Sequence, residues 1–342
     1  MTNRKPSVEI IIPHYRNFPM LERCLCSLAE TSYTAMSVCV VDNGSGEKAL
    51  AGLAGRFERL RIVSLPFNKG YAGGCNSGLF SSSAKYVVFM NDDTAVDSSW
   101  LDYLVEAAEA DESIAALQPK ILSLQAKRNG KKVFDYAGAA GGLIDRIGYP
   151  YCYGRTFSRT ENDYGQYDCE QDIFWASGVA MFARREIVSD LEGFDEDFFM
   201  HMEEIDLCWR IRLLGYRIVS VPSATVYHEG GASLSADSPE KIFLNHRNNI
   251  AMLLKSRGSA ALAWVIPLRL VLECAAAVSY LAKERHRAKS ALSVFRALWN
   301  NVLQLRKIIG KRKEVQGARK VSDSLLFCNA PVSILFRRNA PA

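Results

Sequence analysis

The chain has 342 residues, of which 49% are hydrophobic and 23% charged, and this balance excludes a disordered protein. The length favours one large domain with an appendage. The net charge of +5 is uneven, because residues 283–320 carry twelve Lys or Arg against two Glu, a net of +10, which leaves −5 for the rest. Nine cysteines without CxxC spacing are typical of reduced cytosolic thiols rather than of disulfides or a zinc site.

The first 120 residues alternate short apolar runs with helical patterns. The first run is too short for a secretory signal, so we expect a cytoplasmic protein. Strands that alternate with helices favour a parallel α/β sheet covered on both faces. The predicted strands are 8–12, 37–41, 61–65 and 85–90, and the predicted helices are 18–30, 47–57, 73–82 and 98–110.

Polar or glycine-rich turns follow all four predicted strands. Ligands of parallel sheets bind beyond the carboxyl ends of the strands, so we expect these turns to share one rim. The turns are Pro13-His14, Asp42-Asn43-Gly44-Ser45, Asn68-Lys69-Gly70 and Asn91-Asp92-Asp93.

The fourth turn places two carboxylates side by side in VVFMNDDTAV (87–96). Adjacent anions repel and need solvent, a helix N-terminus or a cation. One interpretation is a solvated turn in which Asp97 or Ser98 caps the helix that begins near Trp100. The other is a Mg²⁺ or Mn²⁺ site completed by water and phosphate oxygens. His228, after a later strand, could join such a site, although a lone histidine is most often structural.

The segment NKGYAGGCNSG (68–78) is rich in glycine ahead of a helix and could present backbone N–H groups to phosphate. A tight structural loop is the alternative. The segment is neither a Walker loop nor GxGxxG, and the first strand ends at Pro13 rather than in glycine, which argues against a dinucleotide fold.

Residues 120–170 carry no assignable pattern, and order returns from residue 172. There, HMEEIDLCWR (201–210) places Glu203, Glu204 and Asp206 in the first turn of a predicted helix. The ordinary explanation is a favourable helix dipole with an Asp206–Arg210 pair. A partly desolvated carboxylate of raised pKa could instead act as a general base towards a hydroxyl group.

The composition changes after residue 240. Residues 261–282 are apolar over nearly the length of a membrane span, but Pro267, Arg269 and Glu273 interrupt them. These interruptions favour a helix in the membrane interface or packed on the domain. Apolar residues then recur at helical spacing over 295–309, which is typical of an interfacial amphipathic helix or of a helix packed on the domain.

Seven motifs in order resemble family 2 of the inverting nucleotide-sugar glycosyltransferases, from about Val8 to Arg257, and in particular its bacterial rhamnosyltransferase-like members. The resemblance implies the GT-A fold, an α/β fold whose Rossmann-like, mixed and mainly parallel sheet is flanked by helices. We expect a catalytic domain at 1–240 and a helical, membrane-associating region at 241–342. The motifs are IIIPHYRN, VVDNGS, NKGYAGGCNSG, FMNDDT, ASGVAMFARR, FFMHMEEIDLCWRIRLLGY and VYHEGGAS.

The resemblance also implies roles for individual residues. Asn91 replaces the first Asp of the family's D-x-D element. Glu204 stands where the family base is usually Asp, so whether Glu204 or Glu203 is the base stays open. The expected donor-nucleotide residues are Pro13, His14, Asp42, Asn68, Gly70, Gly73, Asn76 and Asp92; the metal residues are Asp93 and His228; the acceptor-side residues are Trp175, Ser177, Gly178 and Asp206.

The implied reaction is a single displacement from a dTDP- or UDP-sugar, with L-rhamnose as the sugar, to a glycan or polyprenyl-linked acceptor in surface polysaccharide synthesis. The basic tail predicts peripheral association with the inner face of the membrane. No nucleic-acid partner is expected. A glycoside hydrolase would not need the glycine-rich loop. A non-catalytic subunit that binds nucleotide sugars stays open as the main alternative.

Overall fold

The computed structural model describes residues 5–156, 159–230, 238–282 and 287–336. Residues 231–233 of VYHEGGAS and 283–286 of the basic segment therefore lie outside the described residues. The strands are β1 (Val8–His14), β2 (Met36–Asp42), β3 (Leu60–Ser64), β4 (Tyr86–Met90), β5 (Thr94–Val96), β6 (Ile114–Ser123), β7 (Gly142–Ile144), β8 (Pro150–Cys152), β9 (Arg155–Thr156), β10 (Arg159–Thr160), β11 (Gln171–Asp172), β12 (Ala180–Arg184) and β13 (Arg217–His228).

Helices occupy the connections between these strands and nearly all of the described C-terminal region. The helices are α1 (Phe18–Ala29), α2 (Gly70–Leu79), α3 (Trp100–Ala110), α4 (Leu124–Arg128), α5 (Arg185–Asp190), α6 (Glu203–Leu213), α7 (Pro239–Ser256), α8 (Ser259–Leu281), α9 (Arg287–Leu303), α10 (Leu305–Ala318) and α11 (Asp323–Leu326), with 3₁₀ turns at Lys48–Gly55, Glu196–Phe198 and Ile334–Phe336.

A nine-stranded mixed sheet forms the centre, in the spatial order β11-β13-β6-β12-β4-β1-β2-β3, with β5 also paired to β13. Strands β3, β2, β1 and β4 run parallel, as expected for strands joined by helical crossovers. β12 runs antiparallel between β4 and β6. A second, antiparallel sheet contains β7 to β10.

Both faces of the parallel half are buried. Ile10 and Ile12 of β1 pack in the cluster that contains α1 and α3, whereas Ile11 packs in the cluster with α2 and α6. Because neighbouring side chains of a strand point to opposite faces, this double burial explains the continuous apolar runs of the sequence.

The four predicted N-terminal strands and the mixed sheet flanked by helices are confirmed. The helix predicted at 47–57 is a 3₁₀ turn, and the helix predicted from residue 73 begins at Gly70. Residues 217–228 form one strand with an irregularity between Val221 and Thr225. The unassigned stretch 120–170 holds the end of β6, α4 and the small second sheet.

The C-terminal helices pack on the sheet domain and on one another. α7 contacts α6, and α9 packs against both α7 and α8. α8 is long and apolar enough to cross a membrane by length and composition. The amphipathic stretch 295–309 is divided between α9 and α10, which meet at Gln304.

Candidate functional site

The strand register brings the predicted polar turns to one rim. His14 at the end of β1 lies opposite Asp42 at the end of β2. His228 at the end of β13 lies opposite Thr94, next to Asp93. Because β12 runs in the opposite direction, the residues before it lie at the end of β4. There the backbone N–H of Asn91 donates to the backbone carbonyl of Val179 at 3.1 Å.

A cavity of about 410 Å³ opens at this rim. One wall comes from the ends of β4 and β13, a second from the segment before β12, and a third from the first turn of α6. Its lining includes Tyr71, Asn91, Asp93, Tyr136, Arg155, Trp175, Ser177, Gly178, Val179, Met200, His201, Met202, Glu203, Glu204, His228 and Lys241. A larger cavity of about 670 Å³ lies elsewhere, near Asn76 and Lys311, and holds none of the predicted metal or base residues.

Asp93 and His228 form one side of the cavity. The Nε2 atom of His228 lies 3.1 Å from the Asp93 carboxylate and 3.3 Å from the Asn91 amide nitrogen. Its Nδ1 atom lies 2.9 Å from the carboxylate of Asp135. Burial disfavours the charged imidazole, but hydrogen bonds with Asp135 and Asp93 raise the pKa of His228 to about 10.

These residues fit a divalent ion. A carboxylate, an imidazole nitrogen and an amide oxygen are donors that Mn²⁺ and Mg²⁺ accept. The described part of the chain holds no group of three or more His, Cys, Asp or Glu placed to hold a metal, so water and phosphate oxygens would complete the shell. Asp135 lies at Nδ1 of His228, and a carboxylate at the second ring nitrogen commonly orients a histidine that binds a metal. An ion at this position would displace the imidazole proton.

Asp92 points away from Asp93, towards a buried histidine. His14 is fully buried, with Nδ1 at 2.7 Å from Asp92 and Nε2 at 2.6 Å from Glu47. Burial opposes the charge on this imidazole, but both carboxylates raise the pKa of His14. Desolvation raises the pKa of Asp92 in turn. The two adjacent carboxylates are thus accommodated by different histidines.

The turns after β2 and β3 are held by their own polar side chains. Asp42 accepts hydrogen bonds from the backbone N–H and the hydroxyl of Ser45, at 2.8 and 2.7 Å. Asn68 accepts from the Gly70 N–H at 2.8 Å. Pro13 lies beneath α2, where a Cβ atom on Gly74 would come within 2.8 Å of it.

Other predicted donor-loop residues lie further inside the fold. Gly73 lies in α2 next to Lys69, the residue before the helix, and a Cβ atom on Gly73 would come within 2.6 Å of the Lys69 side chain. Asn76 is buried and forms two 2.8 Å hydrogen bonds with the backbone of Phe194. The structure therefore places Asn76 between α2 and the segment after α5, away from the cavity at the rim.

The loop before α6 is strained. Phe199, His201 and Met202 all have positive φ, at 63°, 69° and 73°, which residues with a Cβ atom seldom adopt. The loop rests on Gly70, whose own φ is +72° and where a Cβ atom would lie 2.2 Å from the Phe199 carbonyl oxygen. Only glycine fits at that contact.

Asn248 of α7 stabilises this loop from the other side. The fully buried amide nitrogen of Asn248 lies 3.0, 2.9 and 2.7 Å from the carbonyl oxygens of Phe198, Met200 and His201. The guanidinium of Arg247 donates to the Asn248 side-chain oxygen at 2.8 Å, which orients the amide. A neighbouring helix therefore holds the backbone that precedes Glu203.

Glu203 and Glu204 enter the cavity from the first turn of α6, and each has one buried carboxylate oxygen that finds no hydrogen-bond partner among the described residues. Burial raises the pKa of Glu204 to about 7. Burial, together with the charge of Glu204, raises the pKa of Glu203 well above its ordinary range. Burial therefore makes both acids hold a proton to a higher pH than an exposed glutamate would, and the pKa of Glu204 lies close to neutral pH.

Three of the four predicted acceptor-side residues line the cavity. The indole N–H of Trp175 donates to the Leu143 carbonyl at 2.8 Å, and the Ser177 hydroxyl donates to Ala137 at 2.8 Å. The Gly178 carbonyl accepts from the Tyr71 hydroxyl.

Asp206, the fourth, lies on the opposite side of α6. Its carboxylate is fully buried, at 2.9 Å from Arg210 and 2.8 Å from Lys255. The predicted Asp206–Arg210 pair is therefore present, as part of a larger buried ion cluster.

Sequence reasoning missed Asp135, Glu47 and Asn248. Asp135 lies in the unassigned stretch 120–170, and Glu47 lies at the start of the 3₁₀ turn, so neither followed a predicted strand. Asn248 sits in the consecutive polar run Asn245-His246-Arg247-Asn248-Asn249 of α7, and this interruption of an otherwise partly apolar helix was the one available signal.

Comparisons with known proteins agree with this geometry. The profile of glycosyl transferase family 2 matches residues 9–191, more than half of the chain. An N-acetylglucosaminyl-diphospho-decaprenol L-rhamnosyltransferase of Mycobacterium tuberculosis is 27% identical over 280 residues, which cover 79% of this chain and 89% of the relative. The O-antigen biosynthesis protein RfbC of Myxococcus xanthus is 28% identical over 68% of this chain, which corresponds to 18% of that protein.

Solved structures share the fold at low sequence identity. The structure of GalNAc-T7 with UDP, GalNAc and Mn²⁺ has a TM-score of 0.59 at 13% identity. The match covers 74% of this chain and 48% of the GalNAc-T7 chain. TarS 1-349 of S. aureus has a TM-score of 0.57 at 16% identity, and the match covers 91% of this chain and 86% of the TarS chain. These likenesses confirm the predicted GT-A fold.

Proposed function

The chain belongs to glycosyl transferase family 2, and from this membership we propose that it moves a sugar, L-rhamnose, from a nucleoside-diphosphate donor to a glycan acceptor with inversion at the anomeric carbon. That it is a glycosyltransferase rests on the family and the relatives. The finer proposal is carried by one observation: Glu204 shares a cavity with Asp93 and His228.

Glu204 is the proposed general base. The acceptor oxygen forms a bond to the anomeric carbon while the bond from that carbon to the diphosphate oxygen breaks, and the hydroxyl proton passes to Glu204. A carboxylate with a pKa of about 7 is well matched to this task. Burial and the charge of Glu204 raise the pKa of Glu203, and Glu203 is proposed to keep its proton and to keep Glu204 desolvated without adding a second negative charge.

Asp93 and His228 are the proposed ligands of Mg²⁺ or Mn²⁺, and Asp135 orients His228. Such an ion neutralises charge on the departing nucleoside diphosphate. Two of the solved structures with this fold contain Mn²⁺, and one of these, a mannosyltransferase of Pyrobaculum calidifontis, also contains GDP-Man. The nucleotide proposed here is dTDP or UDP, bound near His14, Asp42 and Asp92.

The proposed acceptor is a polyprenyl-diphosphate-linked glycan for surface polysaccharide, used at the cytoplasmic face of the inner membrane. The M. tuberculosis relative is named for a decaprenyl-diphosphate acceptor, which supports this class. The excess of Lys and Arg within 283–320 supports contact with an anionic membrane surface.

Isothermal titration of dTDP and of UDP into the purified chain tests the donor site. We expect binding with Mn²⁺ and its loss with EDTA or in Asp93→Ala, and the preferred nucleotide identifies the donor. Absence of binding by both nucleotides under all conditions would refute the proposed site.

Donor turnover separates an enzyme from a binding subunit. Release of nucleoside diphosphate from dTDP-rhamnose or a UDP-sugar by the wild type, and its loss in Glu204→Gln, is the expected result. Tight nucleotide binding without release of nucleoside diphosphate, with or without added acceptor, would favour a non-catalytic subunit.

A further inference from the structure

The exposed surface of α8 carries no charge. The helix is 23 residues long, and its two ionisable residues of opposite charge, Arg269 and Glu273, are 1% and 0% exposed. Its exposed residues are Ser259, Ala260, Ala263, Trp264, Pro267, Leu270, Val271, Cys274, Ala275, Val278, Ser279 and Leu281. Contiguous apolar surface of this extent is uncommon on a protein surrounded by water.

The charged residues of α8 are bound to the sheet domain. Arg269 donates to the Ile147 carbonyl at 2.9 Å and to Glu273 at 2.7 Å, and its guanidinium lies 3.9 Å from the centre of the Tyr149 ring. Glu273 also contacts His246 of α7. A helix that crossed a bilayer would have to break these contacts and leave the charges in hydrocarbon.

α9 continues the apolar surface next to α8. Its exposed residues Leu292, Phe295, Trp299 and Val302 recur at helical spacing, and Trp299 is 63% exposed. Basic side chains lie among and beyond them: Lys289 and Arg296 on α9 and Arg306 and Lys313 on α10 are all exposed. Apolar side chains among cations are the chemistry that suits an anionic lipid surface.

We propose that the exposed faces of α8 and α9, here named the apolar face, lie in the plane of an anionic bilayer and that α8 does not cross it. The part of this proposal that concerns the acceptor rests on the proposed function. Arg269 binds the connection between β7 and β8, and Pro150 at the start of β8 lines the cavity that holds Glu204. The membrane-bound helix is therefore attached to the wall of the cavity that would receive a lipid-linked acceptor.

Flotation of the full chain with vesicles tests the apolar face. We expect the wild type to float with vesicles of phosphatidylcholine and phosphatidylglycerol, and less with phosphatidylcholine alone or at high salt. Val271→Glu combined with Val278→Glu, and separately Trp299→Glu, should weaken vesicle binding by about tenfold or more. Phe80→Glu, at a residue that is 58% exposed at the end of α2, is the matched control and should bind like the wild type.

Three results would overturn the proposal. Equal binding by the α8 and α9 variants and the wild type would show that the apolar face does not contact lipid. Retention in the membrane after alkaline carbonate washing would show that α8 spans it. A dimer in sedimentation that the same variants dissociate, without vesicle binding, would identify a second copy as the partner.

Nucleotide titration of the same variants keeps the two proposals apart. Unchanged dTDP or UDP binding in the apolar-face variants shows that they are folded. If the wild type binds neither nucleotide, the proposed donor site is refuted, whereas the proposal that the apolar face binds a bilayer is still tested by the vesicle experiment.

Discussion

The side-chain amide of Asn248 donates to the backbone carbonyl of His201 at 2.7 Å. His201 has positive φ and is two residues before Glu203, so α7 determines the position from which α6 begins. The amide also lies within 3.0 Å of the Phe198 and Met200 carbonyls. The strained loop therefore depends on a side chain that is 47 residues further along the chain than His201.

Asn248→Ala should lower kcat by about 10- to 100-fold, because the first turn of α6 loses its support and Glu204 moves relative to the acceptor. The affinity for dTDP or UDP should change less than kcat, since the carbonyls that the Asn248 amide contacts belong to the loop before α6, whereas the proposed nucleotide residues His14, Asp42 and Asp92 lie at the ends of β1, β2 and β4. Steady-state kinetics and calorimetry on the same preparation measure the two effects.

Gln316→Ala is the control for Asn248→Ala. The Gln316 amide also donates to two backbone carbonyls, those of Lys255 and Ser256, but far from the strained loop. It should keep wild-type kcat. Equal losses of kcat in both variants would mean that Asn248 acts only through general stability.

Glu204→Gln and Glu203→Gln should differ strongly. An amide cannot accept the acceptor proton, so Glu204→Gln should lower kcat by about 10²- to 10⁴-fold. Glu203, whose pKa is raised by burial and by the charge of Glu204, is proposed to keep its proton, and an amide is close to isosteric with the protonated acid, so Glu203→Gln should keep most of the activity. The reverse order in single-turnover assays would assign the base to Glu203.

The pH dependence of kcat/KM follows from the pKa of Glu204, about 7. A general base works in its ionised form, so the rate should fall as the pH drops below 7 and level off above it. The ordinary pKa of a glutamate would place this fall near pH 4.5 instead. A profile measured at saturating Mn²⁺, with nucleotide binding followed at each pH, separates loss of the base from loss of the donor.

Asp135→Asn should weaken Mn²⁺ binding by about 10- to 100-fold, because His228 loses the carboxylate that orients it. Titration of Mn²⁺ in the presence of UDP or dTDP measures this change. Asp163→Asn is the control, since Asp163 is a buried carboxylate in the same region that binds Lys120 at 3.0 Å and not His228. Unchanged Mn²⁺ affinity in Asp135→Asn would remove Asp135 from the metal site.

Gly70→Ala should lower the free energy of unfolding by about 1–3 kcal/mol, through the positive φ and the clash with the Phe199 carbonyl. Gly310→Ala lies in α10, where no described residue outside the helix's own backbone comes within 4 Å of the added methyl group, and it should raise the free energy of unfolding by up to about 1 kcal/mol. Urea unfolding of both variants provides the comparison. Equal stability of Gly70→Ala and wild type would show that the loop relaxes at no cost.

The rim of the sheet could be predicted from sequence because each predicted strand ended at a polar turn. Buried strands and glycine-rich turns are local signals, and parallel strands align their carboxyl ends, so His14, Asp42 and Asp93 followed directly. Another local signal, two consecutive acids at the start of a predicted helix, singled out Glu203 and Glu204 as candidates.

The partners of these residues could not be predicted from sequence. Asp135 contacts a histidine 93 residues away, and Asp92 faces His14 rather than Asp93. Such pairings depend on how the reversed strand β12 and the small second sheet close over the rim. The side of α6 on which Asp206 lies could not be predicted from sequence either, because an acid in the first turn of a helix can face either a cavity or the core.

Lys255 of α7 reaches back to Asp195 and lies 2.8 Å from Asp206, and all three side chains are almost completely buried. A chimera joined at residue 240, the predicted domain boundary, would combine α7 of one relative with the core of another. If the new α7 lacked this lysine, each of the two buried carboxylates would lose one of its cations and keep only the other, Lys311 for Asp195 and Arg210 for Asp206, which would lower the free energy of unfolding. Recombination among such enzymes should therefore preserve α7 and α10 together with their own core.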